Sequence, residues 1–153
     1  MTKVDERATV PAVDDAARRR LSAALDRPPV VAALLFGSQA TGQAGPLSDV
    51  DVAVWLDPML APAERHPFQL ELMNATARAL ASDEVQVVVL NDATPLLRHR
   101  ALRDGVRLVD RDRLARVRLE TRALLEYLDT AELRATLARG VRHRIAEGRF
   151  GRP

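Results

Sequence analysis

Residues 34–55 read LLFGSQATGQAGPLSDVDVAVW, and this stretch decides the fold. An apolar run leads into it and predicts a buried strand over Val30–Phe36, because the run is short and bounded by proline and glycine. Gly37-Ser38 then makes a turn of small residues. Strict alternation of apolar and other residues predicts a second strand over Val50–Leu56. The two strands therefore hold the Gly-Ser turn near the start of the second strand.

Two carboxylates, Asp49 and Asp51, mark the start of that second strand. Residues two apart in a strand point to the same face, so both side chains project side by side near the turn. Adjacent carboxylates repel unless a cation lies between them, and a hard divalent cation is the usual solution. The bare backbone of Gly37-Ser38 suits a phosphate. The pattern indicates nucleoside triphosphate chemistry, although alone it also fits a solvated turn.

Composition sets broad limits on the function. The 153 residues suffice for one compact domain, and the net charge is +2. Nearly all basic residues are arginine, with Lys3 the single lysine, which suits a phosphate or acidic partner and equally a compositional bias. The absence of cysteine excludes disulfides, thiolate metal sites and a cysteine nucleophile. Because there is no apolar leader or spanning run, we expect a cytoplasmic protein without membrane contact.

The order of patterns predicts an α+β fold, with a small mixed β-sheet packed against helices and a helical C-terminus. We divide the chain into a loose tail over residues 1–12, a core over 13–110, and C-terminal helices over 111–153 that pack on the core or on a partner. Asp14 or Asp15 and Thr94 are candidate helix caps. The remaining predictions are a loop over 58–67, a helix over 68–81 with an inner stripe of Leu70, Met73, Ala77 and Leu80, and strands over 85–90 and 106–109.

Gly37-Ser38 followed after ten residues by Asp49-x-Asp51 resembles the signature of the DNA polymerase β-like nucleotidyltransferase superfamily. The similarity extends through VVVLNDATPLLRHR at residues 87–100 and RLETR at 118–122. It covers roughly residues 15–130, and the short chain resembles the minimal nucleotidyltransferases of this superfamily. The resemblance implies that Asp49 and Asp51 hold Mg²⁺ and that Gly37 and Ser38 orient the phosphates of ATP.

Many minimal nucleotidyltransferases are antitoxins whose partner is a HEPN-domain ribonuclease. The resemblance therefore implies transfer of AMP from ATP to a tyrosine of a HEPN toxin, which neutralises the toxin. It implies a protein partner and ATP, with nucleic acid not expected as a direct ligand.

One position departs from the family pattern. A third carboxylate usually stands in the third strand, where it helps to bind metal and accepts the proton of the attacking hydroxyl. The alignment places Gln86 there, and an amide cannot act as a base. Glu84 lies two residues earlier, displaced by roughly 6–7 Å along the strand. Arg98 and Arg100 are candidates for contact with the triphosphate or an acidic partner, or form a solvated helix face.

Three functions stay open on this basis. The first is the AMP-transferring antitoxin. The second is an inactive or weakly active antitoxin that neutralises the toxin by binding alone, which Gln86 motivates. The third is a small-molecule nucleotidyltransferase of the aminoglycoside-modifying type, for which the chain leaves little sequence to build an acceptor domain.

Overall fold

The computed structural model describes residues 13–42 and 49–148, so the predicted tail over 1–12 lies outside the described residues. A short 3₁₀ turn, Leu90–Asp92, follows the third strand. The other elements are α1 (Asp15–Leu25), β1 (Val30–Phe36), α2 (Ser38–Thr41), β2 (Val50–Leu56), α3 (Pro62–Leu80), β3 (Val85–Val89), α4 (Pro95–Asp104), β4 (Val106–Asp110), α5 (Arg113–Asp129) and α6 (Ala131–Ala146).

Four strands form one sheet in the order β3-β2-β1-β4. β1 pairs antiparallel with both β2 and β4, whereas β2 and β3 run parallel. The predicted α+β class, with a mixed sheet and a helical C-terminus, is confirmed. Because β2 lies inside the sheet, its residues face partners on both sides. Asp51 stands opposite Phe36 of β1 and opposite Gln86 of β3.

The alternation in β2 separates two apolar layers. Val50, Val52 and Val54 are fully buried on one face, where α1 and α3 cover the sheet. Ala53 and Trp55 are buried on the other face, together with Ala101 of α4 and Ala123 of α5. A strand with period two thus supplies both cores, and its polar start emerges at one end of the sheet.

Helix α3 differs from the prediction. It begins at Pro62 and contains Pro67, so the loop predicted over 58–67 is wrong. Proline is tolerated at the first helical position because it needs no hydrogen-bond acceptor there, and the Glu64 carboxylate accepts a hydrogen bond from the Ala61 N–H. The buried stripe is Phe68, Leu72 and Thr76. The predicted inner residue Leu70 is instead exposed.

The C-terminal helices are unequal. α5 packs on the sheet through the buried Ala123. α6 packs against α5 and contains no buried residue, and its large apolar side chains Leu133, Leu137 and Ile145 are exposed. α5 therefore covers the second core, whereas α6 extends the fold beyond it. The domain division at residue 110 stays a prediction.

None of the helices within residues 13–42 and 49–148 is long and apolar enough to cross a bilayer.

Candidate active site

Gly37 forms the turn between β1 and α2. Its backbone has φ 72° and ψ −154°, a combination that is essentially restricted to glycine. A Cβ at this position would lie 2.6 Å from Oδ2 of Asp51. The Gly-Ser turn therefore lies directly against one of the two predicted metal-binding carboxylates, and only a residue without a side chain permits this approach.

Asp51 is half-buried beside this turn, and Asp49 precedes it by two residues. Burial raises the pKa of the Asp51 carboxyl above its usual value, and the negative charge of Asp49 raises it further. Both causes act against the carboxylate form, and a cation would relieve both. The Asp51 carboxylate therefore lies where a bound cation would favour its charged form.

The donor set fits Mg²⁺ held by two protein carboxylates. Mg²⁺ is usually bound through one or two carboxylates, with phosphates and water completing its shell. In the described part of the chain, no three acidic, histidine or cysteine side chains gather into a metal cluster. Asp49 and Asp51 would therefore be the protein ligands, and the remaining ligands would come from the nucleotide and solvent.

Gln86 stands where the third carboxylate was expected. It lies opposite Asp51 in the parallel register of β2 and β3, and its side chain is exposed. Directly opposed residues of neighbouring strands point to the same face, so the amide projects beside the Asp51 carboxylate. Glu84 lies one pleat earlier, where its carbonyl accepts a hydrogen bond from the Val50 N–H at 2.9 Å.

A cavity of about 360 Å³ opens at the Gly-Ser turn. It brings together three predicted nucleotide-binding residues, Gly37, Ser38 and Arg100. Arg100 is exposed and has no ion pair with any residue that the structure describes. The cavity also includes Asp104, whose pKa is lowered chiefly by a hydrogen bond from Arg103. The remaining lining residues are Phe36, Thr41 and Leu97.

Arg98, the other predicted nucleotide-binding arginine, does not line the cavity at the Gly-Ser turn. Its Nε donates to the Leu90 carbonyl at 2.7 Å, Nη2 donates to the Asn91 carbonyl at 2.6 Å, and Nη1 pairs with Oε2 of Glu126 at 2.5 Å. Residues two apart on a helix are separated by about 200° around its axis, so Arg98 and Arg100 cannot share a face. Arg98 joins α4 to α5 and to the end of β3, and the structure does not bring it to the Gly-Ser turn.

We expect Arg98→Ala and Arg100→Ala to have opposite consequences. Arg98→Ala should lower the free energy of unfolding by roughly 2–4 kcal/mol, since it removes charge-assisted hydrogen bonds to two carbonyls and to the Glu126 carboxylate. Arg100→Ala should weaken ATP binding about tenfold with little change in stability. Urea denaturation and nucleotide titration of both variants check this, and equal effects of the two on nucleotide affinity would contradict it.

Four of the described lining residues escaped prediction, and two of them, Leu97 and Asp104, lie on α4. With Arg100 they follow the spacing i, i+3, i+7, which places all three on one face of α4. This periodicity is a signal from which the shared face of α4 could have been predicted.

A larger cavity of about 570 Å³ lies at the end of α3, between residues such as Asn74 and Ser82, and none of the predicted site residues lines it.

Several solved structures share this fold. A chain described as a toxin–antitoxin with AMP-PNP matches with a TM-score of 0.66 at 23% identity, covering 81% of this chain and 97% of the other. A tri-AMPylated Shewanella oneidensis HEPN toxin in complex with an MNT antitoxin matches with a TM-score of 0.61 at 21% identity, covering 82% and 95%. A further toxin–antitoxin structure, MntA-HepT, matches with a TM-score of 0.61 at 22% identity, covering 82% and 96%.

Sequence comparison gives the family. No curated protein matches significantly. The model of the family described as polymerase beta, nucleotidyltransferase, matches residues 21–114, which include the Gly-Ser turn, both aspartates and the whole four-stranded sheet. The predicted superfamily is confirmed, and the chain belongs to the polymerase β nucleotidyltransferases.

Proposed function

We propose that this protein is an antitoxin that transfers AMP from ATP to a tyrosine of a HEPN-type toxin. The observation that carries the proposal is the close approach of the Asp51 carboxylate to Gly37, which places the Gly-Ser turn beside the two candidate metal-binding carboxylates. Membership of the nucleotidyltransferase family supports it.

Each residue of the site has a role in this reaction. Asp49 and Asp51 would hold Mg²⁺, which when bound neutralises charge on the triphosphate during attack at the α-phosphorus. The backbone N–H groups of Gly37 and Ser38, together with the Ser38 hydroxyl, would donate hydrogen bonds to the phosphate oxygens. Arg100 adds a positive charge at the same cavity.

The transfer forms a bond between the tyrosine oxygen and the α-phosphorus and releases pyrophosphate. The hydroxyl proton must leave during this step. Gln86 cannot accept it, because a neutral amide is not a base. The proton therefore goes to solvent or to the displaced Glu84, and we expect slow turnover compared with an enzyme that has a carboxylate at this position.

The structural matches support the nucleotide and the partner. One similar chain is described with AMP-PNP, and another is bound to a HEPN toxin that carries three AMP groups. We therefore propose ATP as co-substrate and a complex with the toxin in the cytoplasm, with residues 13–110 as the transferase core and 111–153 as helices available to the partner.

Labelling tests the proposal directly. The full chain is incubated with its cognate toxin, Mg²⁺ and ATP labelled at the α-phosphate, and labelled tyrosine is identified by mass spectrometry. We expect label on the toxin that disappears when Mg²⁺ is chelated. The combined variant Asp49→Asn and Asp51→Asn serves as the matched inactive control.

Neutralisation in cells separates the remaining alternative. If that double variant still protects cells from the toxin, and the unchanged protein puts no label on it, the antitoxin acts by binding alone. Gln86 is the observation that favours this second function.

Restoring the third carboxylate should accelerate transfer. Gln86→Glu is nearly isosteric and lies at an exposed position, so we expect an unchanged fold. A general base beside Asp51 should raise the transfer rate about 10²-fold, at the lower end of such effects. Single-turnover rates measure this, with Glu84→Gln as the control variant. An unchanged rate for Gln86→Glu would show that proton removal does not limit transfer.

A further inference from the structure

A second cavity, of about 260 Å³, lies at the far end of β2. Trp55 lines it and lies four residues after Asp51, or about 13 Å along the strand. Among the residues that the structure describes, this cavity and the cavity at the Gly-Ser turn have no lining residue in common. The residues that matter are Trp55, Arg65, Asn91, Arg98, Arg122 and Glu126.

The acceptors around this cavity are already engaged. The Asn91 amide accepts from the Leu56 N–H and donates to the Leu56 carbonyl, both at 2.9 Å. Glu126, the only carboxylate among the described lining residues, pairs with Arg98. Arg98 also donates hydrogen bonds from Nε and Nη2 to two backbone carbonyls. These groups shape the wall of the cavity, and a ligand would not find a free carboxylate there.

Several hydrogen-bond donors around this cavity, in contrast, have no acceptor among the described residues. Trp55 is only 2% exposed, and its indole Nε1 has no hydrogen-bond partner among the described residues. Nε of Arg65 is in the same situation, although Nη1 of Arg65 pairs with Asp92. Arg122 forms no ion pair within the described part of the chain. The Trp55 and Arg65 atoms are almost inaccessible to solvent, so a ligand would first meet the exposed guanidinium of Arg122. A buried donor without a partner is costly, and a ligand whose acceptors reach these two donors would remove that cost.

We propose that this cavity binds a phosphate group, either free or as the phosphomonoester of a small molecule. Phosphate offers several acceptor oxygens and, when fully ionised, no donor, which matches a wall whose unpaired groups are all donors, on Trp55, Arg65 and Arg122. Arginine binds phosphate in a bidentate manner. The volume exceeds that of a bare phosphate and leaves room for an organic group. This site is independent of the transferase function, because its residues play no part in that chemistry.

Calorimetric titration of the full chain with inorganic phosphate and with AMP tests the site, with fluorescence as a second readout. Trp55 is the single tryptophan, so its emission reports on this cavity alone. We expect saturable binding of phosphate and a change in emission. Arg122→Gln should weaken binding by about tenfold or more, the effect of losing a charge-assisted hydrogen bond. Arg118→Gln, an exposed arginine one turn earlier on α5 that does not line the cavity, should change the affinity less than twofold.

Three outcomes would overturn the proposal. The first is the absence of both heat and an emission change up to about 10 mM ligand. The second is an equal loss of affinity in Arg118→Gln, which would reveal only bulk charge. The third is loss in Arg100→Gln but not in Arg122→Gln, which would place the phosphate at the Gly-Ser turn. Tighter binding of AMP than of phosphate, with the same sensitivity to Arg122→Gln, would support a phosphomonoester ligand, whereas equal affinities would support free phosphate.

Discussion

Replacing Asp51 with asparagine should abolish transfer while making the metal-free protein more stable. We expect the transfer rate to fall by about 10²–10³-fold, since one of the two proposed metal ligands is lost and a bound metal would supply several kcal/mol of transition-state stabilisation. The thermal midpoint of the metal-free protein should rise by roughly 1–4 °C. Function and stability therefore change in opposite directions at one residue.

The rise follows from the direction of the pKa shift. Burial, and then Asp49, hold the pKa of Asp51 in the folded protein above its value in the unfolded chain. The stability linked to this group is fully present below the unfolded pKa and is lost as pH rises through the folded pKa. At neutral pH the charged Asp51 is thus a cost that asparagine removes. The difference between the two proteins should shrink as pH falls through this range.

Thermal unfolding in chelator from about pH 3 to pH 7 measures the effect. Asp129→Asn is the control, because Asp129 is an exposed carboxylate at the end of α5 without an ion pair in the described part of the chain. It should leave both transfer and the midpoint unchanged. A lower midpoint for Asp51→Asn would contradict the expectation, as would retained transfer.

Gly37→Ala should impair both stability and transfer. The backbone of Gly37 lies in a region closed to alanine, and its new Cβ would lie 2.6 Å from Oδ2 of Asp51. We expect a loss of about 2–3 kcal/mol in the free energy of unfolding. Displacement of the turn or the carboxylate by about 1 Å should lower the transfer rate by about 10²-fold.

Gly42→Ala separates the two causes of this effect. Gly42 also has a positive φ, of 74°, but a Cβ there would meet nothing within 4 Å among the described residues. It should cost about 1 kcal/mol and leave transfer nearly unchanged. Denaturant unfolding and single-turnover labelling compare the two variants. If they behave alike, contact with Asp51 is not what demands glycine at position 37.

The central part of the fold was predictable because its signals are local. The alternation of Val50–Leu56 and the apolar run of Val30–Phe36 predict the strand pair. The candidate caps Asp14 and Thr94 predict two helix starts, and in the structure their side chains accept hydrogen bonds from the N–H groups of Ala17 and Leu97. α3 was not predictable in the same way. Pro62 and Pro67 are typical of a loop, and packing of the Phe68 stripe on the sheet outweighs them.

The parts of the candidate site that follow from local signals were likewise predictable, and those that depend on long-range packing were not. The juxtaposition of Gly37 with Asp51 follows from strand pairing, and Gln86 opposite Asp51 follows from register. The separation of Arg98 from Arg100 follows from helix geometry alone. The cavity at Trp55 does not, because it depends on α5 packing against α4 and on Asn91 reaching Leu56 across the fold. Such long-range contacts leave no periodic pattern in the chain.

Helix α6 has a consequence for how the protein opens. None of its sixteen residues is buried. Separating α6 from α5 therefore exposes little apolar surface to water, compared with separating a strand from the sheet. An isolated helix of that length is marginal in water. Amide hydrogens over 131–146 should therefore exchange with solvent through local fraying, while those of β1 and β2 should exchange only when the whole core unfolds. The chain accordingly has two tiers of local stability.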